Sequence, residues 1–566
     1  MRGTWRAWAV GGALGGFLMA AGAHGAKPPR VHALVGARIV VAPGKVIESG
    51  TVVLRDGVIT AVGAKVEAPA DARVWDLKGK TIYAGLVEAY SVRPWPQESQ
   101  ASQGRGGGGE KKPEGALANA QLHPERDMTA WAADDAAAKK LRDAGFGAAL
   151  VAPKDGILRG RSVVVELGDG PEQQSLLRQG VAQHAQLKAA GRGDGGGAYP
   201  VSLMGAIALF RQTLLDASWY GKAQAAYASN PAQERPPVEP ALATLQGVAA
   251  GSDLIVFETD DVLDTLRVAK VVHELKLKAM VVGNGEEYKR LESVRRTGFA
   301  HILPLAFPKA PKIEGSGGDD TTDLEALRHW NAAPDNPRLL LGTGLQVAFS
   351  THRLDDPKKI YENLALSIQR GLTADQALAA LTTTPAQMLG LSGRLGTVEA
   401  GKIANLVVVD GDLFVAKPKL REVWVDGNRY EIKESKAAEV EPAGTWDLTI
   451  KTADGQEIPV SLEIAGRAGK LAGSISAMGR KVTLSSAEVS GSQLEVEFDG
   501  GGFGMAGSFS FSMEISGDSA SGSGSSPRGS FTLDATRSTK PAGPSQPPSS
   551  SSSAGRARSS ALEVTP

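Results

Sequence analysis

Cysteine is absent from the 566-residue chain, and histidine is scarce, with eight residues. The absence of cysteine excludes disulfides, thiol catalysis, cysteine-ligated zinc and lipid anchoring through cysteine. Any metal site must therefore use histidine and carboxylate ligands. The chain also has no net excess of positive or negative charge, because 62 Lys and Arg balance 62 Asp and Glu. No stripe of basic residues stands out in the sequence. Nucleic acid and anionic membranes are therefore not expected as the main partners.

Long apolar runs are missing after the first 25 residues. Arg2 and Arg6 precede an apolar stretch from Trp8 to Ala21, and small residues follow it. The stretch is short and rich in glycine for a bilayer span, and the pattern is typical of a cleaved secretory signal. We therefore expect a signal peptide at residues 1–25, export to the periplasm or the cell exterior, and a mature chain without a transmembrane segment.

The pattern of predicted strands and helices changes several times along the remaining chain, and these changes indicate separate regions. Short strands and turns flank a long stretch in which strands alternate with helices, and a second strand-rich region follows it. A Gly- and Lys-rich loop interrupts the alternating stretch, and the chain ends in a Ser- and Pro-rich, disordered tail. The predicted regions are residues 26–81 with 393–435 (one composite β-sandwich), 82–392 (the alternating stretch, with the loop at 93–120), 440–537 (an antiparallel β domain) and 538–566 (the tail).

The alternating stretch predicts an α/β fold. Repeated strand-then-helix units over roughly 300 residues are typical of a parallel sheet closed as a barrel. Residues 373–376 read as a capping box that opens a helix to Leu381. The predicted strands are residues 82–87, 148–151, 254–257, 279–282, 302–305 and 347–350, and the predicted helices are 134–144, 262–275, 286–297 and 360–370.

The strand-rich region at residues 440–537 predicts a small antiparallel sandwich or barrel. Strands recur about every ten residues and are joined by Gly, Ser and Asp turns. No catalytic cluster of side chains accompanies them. The seven predicted strands are residues 446–451, 458–464, 471–476, 482–484, 494–498, 508–515 and 530–534.

Two distant motif blocks resemble the amidohydrolase superfamily, in particular its imidazolonepropionase-like branch. The first comprises residues 50–63 (GTVVLRDGVITAVG) and 81–89 (TIYAGLVEA), and the second includes residues 396–408 (GTVEAGKIANLVV) and 423–427 (VWVDG). The resemblance covers roughly residues 31–433. It implies a TIM-like (β/α)8 barrel with a β-sandwich assembled from both flanks.

The same resemblance implies a divalent metal at the C-terminal mouth of the barrel, where it activates a water molecule. The implied ligands are a His-x-His after the first strand, one histidine from each of the fifth and sixth strands, and an aspartate after the eighth. In this chain the corresponding positions hold Tyr90, Val92, Asn284, Pro304 and His352. The family's metal-ligand motif is therefore lost, and no cofactor is expected.

A rebuilt site is the alternative. Glu258 and Asp260 follow a buried-looking strand, and His352 stands after another, so converging strand ends would bring them together. Such a carboxylate-rich set favours Mg²⁺, Mn²⁺ or Ca²⁺ over Zn²⁺. The competing interpretation is that Asp260 and Asp261 cap the helix that begins at Val262.

The other histidines carry weaker signals. His301 lies beside an apolar strand and is interpreted as a core residue. His32, His123 and His184 stand in segments that we interpret as linkers or surface. None of these residues has a second histidine two or four positions away, the spacing that a shared metal requires on a strand or helix.

Two functional hypotheses follow. The first is a catalytically degenerate amidohydrolase that binds or scaffolds a small molecule or a protein, neither of which the sequence identifies. The second is an active metal-dependent hydrolase of C–N bonds in amides or cyclic amides that uses Glu258, Asp260 and His352.

Overall fold

The structure is a computed structural model, and it describes residues 30–93, 117, 119–130, 135–169, 176–189, 199–310, 323–432, 438–452, 456–467, 470–477, 479–504, 508–526 and 529–539. The predicted signal peptide, nearly all of the 93–120 loop and the tail from residue 540 lie outside the described residues. The chain divides into two compact units, residues 1–432 and residues 433–566.

The described part of the first unit contains eighteen strands. In chain order they are β1 Val31–Ala42, β2 Lys45–Arg55, β3 Val58–Gly63, β4 Arg73–Asp76, β5 Lys80–Ala84, β6 Leu86–Arg93, β7 Phe146–Pro153, β8 Leu158–Arg161, β9 Val163–Glu166, β10 Leu176–Arg178, β11 Gln183–Ala185, β12 Leu254–Glu258, β13 Lys278–Val282, β14 Ala300–Pro304, β15 Val347–Ser350, β16 Leu406–Asp410, β17 Lys419–Val425 and β18 Asn428–Glu431.

Ten α-helices lie in the same described segments. They are α1 Asp135–Asp143, α2 Leu203–Ser229, α3 Pro240–Ala249, α4 Val262–Leu275, α5 Leu291–Thr297, α6 Leu324–Ala332, α7 Asn336–Leu341, α8 Ile360–Gln369, α9 Ala374–Leu381 and α10 Thr383–Met388. The capping box is confirmed, because the Thr373 side chain accepts from the Gln376 amide and the Gln376 side chain accepts from the Thr373 amide.

Both flanks of the first unit contribute to one eight-stranded sheet. Its order is β18-β17-β16-β5-β1-β2-β3, and β4 pairs with β1. β1 pairs antiparallel with β2 on one side and parallel with β4 and β5 on the other, and its register shifts near Ala37. Strands from residues 31–84 and 406–431 thus associate through hydrogen bonds, and the composite sandwich stays a prediction.

The alternating stretch forms two further sheets. One has the order β10-β9-β7-β6 and the other the order β15-β14-β13-β12-β11-β8. Strands β11 to β15 run parallel to one another, so their carboxyl ends lie along one edge. The residues of β12 to β15 are mostly buried, as expected for parallel strands covered on both faces.

Gly85 marks the point where the chain leaves the first sheet for the second. The sequence predicted one strand over residues 82–87, whereas β5 and β6 belong to different sheets. The Gly85 amide donates to the Asn405 carbonyl at 2.7 Å, and a Cβ at Gly85 would lie 3.0 Å from the Asn405 backbone. The close approach requires glycine and separates the two strands.

The second unit is a closed antiparallel barrel of eight strands, and the prediction of a C-terminal all-β domain is confirmed. Its interior is filled by apolar side chains, among them Trp446, Leu494 and Phe511. The strands are β19 Gly444–Thr452, β20 Glu457–Arg467, β21 Lys470–Ala477, β22 Arg480–Ser490, β23 Gln493–Asp499, β24 Ser508–Ser516, β25 Ser519–Ser526 and β26 Gly529–Thr539.

Among the described residues, no helix has both the length and the apolar character that a bilayer crossing needs.

Candidate functional site

Side chains from several strands meet near the carboxyl edge of the parallel strands. Glu258 is the last residue of β12, and His352 lies two residues beyond β15. Tyr90 comes from β6, His184 from β11 and Arg159 from β8. Because these strands end at or pass the same edge, residues far apart in sequence become neighbours.

Glu258 is at the centre of this cluster. Its Oε2 accepts a charge-assisted bond from Arg159 Nη1 at 2.7 Å and a bond from the Tyr90 hydroxyl at 3.0 Å. Its Oε1 lies 3.2 Å from His352 Nε2 and 3.7 Å from Arg353 Nη2. Both oxygens are therefore engaged by protein groups.

The carboxylate of Glu258 is held in its charged form. Burial alone would raise its pKa, but the hydrogen bond with His352 and the charge of Arg159 outweigh burial and hold the pKa well below its usual range. The side chains of Glu258 and Arg159 are only 12% and 5% exposed, so solvent screens their attraction weakly.

Arg159 supplies a permanent positive charge at this place. Its Nη1 also lies 3.2 Å from the Tyr90 hydroxyl, its Nε donates to the Gly156 carbonyl at 3.3 Å, and its Nη2 donates to Gln186 Oε1. A guanidinium does not lose its proton in a protein, so the cation stays at any accessible pH.

Two aromatic rings complete the wall of the cluster. Tyr90 is buried, its ring centroid lies 5.7 Å from that of His184 in a stacked arrangement and 5.0 Å from that of His352 edge-on. Burial raises the pKa of Tyr90, so the hydroxyl stays protonated and donates. Burial, reinforced by the charge of Arg159, lowers the pKa of His184 to about 3. The His184 ring is therefore neutral, and neither nitrogen has a hydrogen-bond partner among the described residues.

A second carboxylate lies behind the cluster. Glu88 is fully buried and accepts from the Tyr90 amide at 3.0 Å, from the Thr351 amide at 2.9 Å and from the Thr351 hydroxyl at 2.6 Å, and Ser350 Oγ also donates to it. Burial raises the pKa of Glu88 despite these bonds. These contacts tie β6 to the end of β15, and thereby position Tyr90 and His352.

Asp260 does not join Glu258 and His352. Its carboxylate lies 3.2 Å from Lys188 Nζ and from Gln186 Nε2, and 3.4 Å from Arg353 Nη2, and it is about half exposed. Its neighbour Asp261 is the N-cap of α4 and accepts from the Asp264 amide at 2.7 Å. The capping interpretation therefore holds for Asp261.

The remaining positions that correspond to the implied ligands offer little to a metal. Val92 is apolar, Pro304 ends β14, and the Asn284 side chain accepts from the Glu286 amide at 2.9 Å while its Nδ2 lies 3.4 Å from the Thr259 hydroxyl. Within the described ranges, no group of three or more His, Asp or Glu side chains is placed to hold a metal ion.

The donor set does not fit the divalent metal that the family resemblance implies. A metal needs several oxygen or nitrogen ligands with free lone pairs. Glu258 already neutralises Arg159, and among the described residues His352 is the one histidine in contact with Glu258. A divalent ion beside Glu258 would meet the charge of Arg159, which repels it.

Sequence reasoning missed Arg159 and misjudged His184. His184 was interpreted as a linker or surface residue, but it lies in β11 and is 1% exposed. β11 has three residues and β8 has four, so neither is long enough to show a periodic pattern. His301, interpreted as a core residue, is fully buried in β14.

Known proteins resemble this chain over different extents. The Amidohydrolase family model matches residues 339–430. The amidohydrolase tasK of Hapsidospora irregularis is 33% identical over 95 residues, which are 17% of this chain and 10% of the relative. The chain thus matches about a tenth of the length of that curated relative.

A solved structure resembles this chain in its fold as well. The crystal structure of an amidohydrolase from Thermotoga maritima superposes with a TM-score of 0.57 at 18% identity, and covers 70% of this chain and 99% of that chain. The first unit therefore has an amidohydrolase fold. Together with the sequence matches, this supports the assignment of the chain to the amidohydrolase superfamily.

Proposed function

We propose that this protein is a non-catalytic member of the amidohydrolase superfamily, in which an arginine–glutamate pair has replaced the metal centre and the protein binds or scaffolds a partner. The observation that carries the proposal is the 2.7 Å bond between Arg159 and Glu258 among largely buried side chains. A fixed cation supplies charge to the carboxylate, but it cannot bind and activate a water molecule as a metal does.

We further propose that the two sheets of the alternating stretch form the wall of a TIM-like (β/α)8 barrel with the cluster at its C-terminal mouth. The parallel order of β11 to β15 supports this arrangement. So do the bonds from Ser350 and Thr351 to Glu88, because they join an edge strand of one sheet to an edge strand of the other.

Metal analysis of the purified full chain tests the loss of the metal centre. After equilibration with Zn²⁺, Mn²⁺ or Mg²⁺ and removal of free metal, we expect well below one equivalent of each ion per chain. The Glu258→Gln variant is the matched control, because it removes the charged ligand without changing the side-chain volume. One tightly held equivalent that disappears in this variant would contradict the proposal.

The second candidate function is an active hydrolase of amide or cyclic amide C–N bonds. The 3.2 Å contact between Glu258 and His352 favours it, since two of the three residues predicted for a rebuilt site meet. In that case His352→Ala and Asp260→Asn would each abolish metal-dependent hydrolysis of amide substrates. The first proposal expects no such activity in the unmodified chain.

We also propose that the protein is exported, as its first 25 residues indicate. Fractionation of producing cells tests this: the processed chain is expected in the periplasm or medium, and retention of the full-length chain in the cytoplasm would contradict it.

A further inference from the structure

A cavity lies at the opposite edge of the parallel strands from Glu258. It has a volume of about 920 Å³, which is in the range of small-molecule sites. Its lining includes Leu254, Lys278 and Ala300, the first residues of β12, β13 and β14. Since Glu258 is the last residue of β12, the cavity is separate from the cluster at the carboxyl edge.

Positive charge is in excess around this cavity. Three cationic side chains line it, Arg161, Arg178 and Lys278, and they face one carboxylate, Asp253. Asp253 pairs with Arg161 at 3.2 Å. Arg178 donates to the Leu389 carbonyl, which does not neutralise its charge.

Lys278 is exposed, and within the described part of the chain it forms no ion pair. Two positive charges, those of Arg178 and Lys278, therefore remain uncompensated at the cavity. Such an excess at a concave surface attracts an anion.

The other side chains that line the cavity are partly apolar and partly glutamine amides. Met280, Ala300 and Met388 supply apolar surface. The amide side chains in the lining are Gln183, Gln346 and Gln387.

We propose that this cavity binds a small organic anion, a carboxylate with an apolar body. The carboxylate pairs with Arg178 and Lys278, and the apolar body lies against the methionine and alanine side chains. Arginine suits the carboxylate because its guanidinium presents parallel N–H donors. The site is independent of the proposed loss of the metal centre.

Titration calorimetry with 4-hydroxyphenylacetate on the full chain tests the proposal. This probe has the carboxylate and the apolar ring, whereas its neutral analogue 2-(4-hydroxyphenyl)ethanol keeps the ring and replaces the carboxylate with a neutral alcohol. We expect the anion to bind at millimolar or lower concentration and the neutral analogue to bind about tenfold more weakly, the loss that about 1.4 kcal/mol of charge pairing produces. Equal binding of both, or no heat from the anion, would overturn the proposal.

Variants locate the bound probe. Lys278→Gln is expected to weaken binding of the anion about tenfold, and because this lysine is exposed the variant is expected to fold. Lys270→Gln, an exposed lysine on α4 that does not line the cavity, is the matched control and should leave affinity unchanged.

Two further titrations distinguish other occupants. Glu258→Gln should also leave the affinity unchanged, and a loss in that variant would place the anion at the other edge and overturn the inference. Inorganic phosphate that binds more tightly than 4-hydroxyphenylacetate would reject an organic carboxylate in favour of a free phosphate.

Discussion

At the scale of single residues, the pair of Arg159 and Glu258 determines what the carboxyl edge can do. Each charge is buried, and each compensates the other at 2.7 Å. Burying an ion without a partner costs several kcal/mol, so neither residue tolerates the loss of the other well.

Replacement of Arg159 tests this mutual dependence. Arg159→Met should lower the free energy of unfolding by about 3 kcal/mol, because Glu258 is left charged and buried. Urea denaturation measures the change, and adding Glu258→Gln to the same chain should restore part of it. Arg295→Met, which removes an exposed pair with Glu292, is the control and should change nothing measurable. A tolerated Arg159→Met would show that another group compensates Glu258.

Glu166 provides a pH-dependent prediction. Burial, with the nearby charge of Asp426 adding to it, raises the pKa of Glu166 from 4.5 to about 8. The folded chain therefore holds a proton on Glu166 that the unfolded chain releases between these values, and stability falls as pH rises through this window.

Glu166→Gln removes this dependence. The variant should lose less stability than the unmodified chain between pH 5 and pH 8, by a few kcal/mol in total, as urea denaturation at several pH values would measure. Parallel pH profiles for the two proteins would contradict the expectation.

The sequence predicted part of the cluster for a clear reason. Glu258 and His352 each follow an apolar strand, and carboxyl ends of parallel strands converge. Asp260 lies two residues beyond Glu258, the last residue of β12, and its side chain contacts Lys188 instead of His352. Arg159 was missed because an arginine in a four-residue strand resembles a surface residue until its carboxylate partner is known.

At the scale of elements, the hydrophobic pattern located several of the apolar strands and missed β25, which is not apolar. α4 is found at the predicted residues 262–275, and β15 at 347–350. β25 reads SASGSGSS and has no β-branched or aromatic residue, so nothing in its composition favours a strand. It forms because β24 and β26 pair with it on both sides.

The small residues of β25 are required by close packing. A Cβ at Gly524 would lie 2.3 Å from the Phe531 ring, and one at Gly522 would lie 2.0 Å from the Ser512 carbonyl oxygen. Intrinsic propensity alone would favour valine at both positions.

Gly522→Val should therefore destabilise the barrel by about 1–3 kcal/mol, the usual cost of overpacking. Ser523→Val, at the neighbouring exposed position, is the control and should be neutral or mildly stabilising. Thermal unfolding of the full chain, followed by near-ultraviolet circular dichroism, measures both. Equal stability of the two variants would contradict the packing argument.

At the scale of the whole molecule, the first unit combines distant parts of the chain. Residues 31–84 and 406–431 share one sheet, although more than 300 residues separate them. The sequence motifs at both ends predicted this association, because each resembled a known part of one family. The register shifts within β1 were not predictable, since no short motif encodes them.

The whole-molecule account depends on one claim: the cation beside Glu258 is the guanidinium of Arg159, and the site does not take a metal. Crystals of the full chain grown with excess Mn²⁺ or Zn²⁺, with diffraction recorded at each metal's absorption edge, test it most directly. The account predicts no anomalous peak within ligand distance, about 2–2.5 Å, of the Glu258 and His352 side chains. A peak bound by both residues, with Arg159 displaced from Glu258, would contradict it.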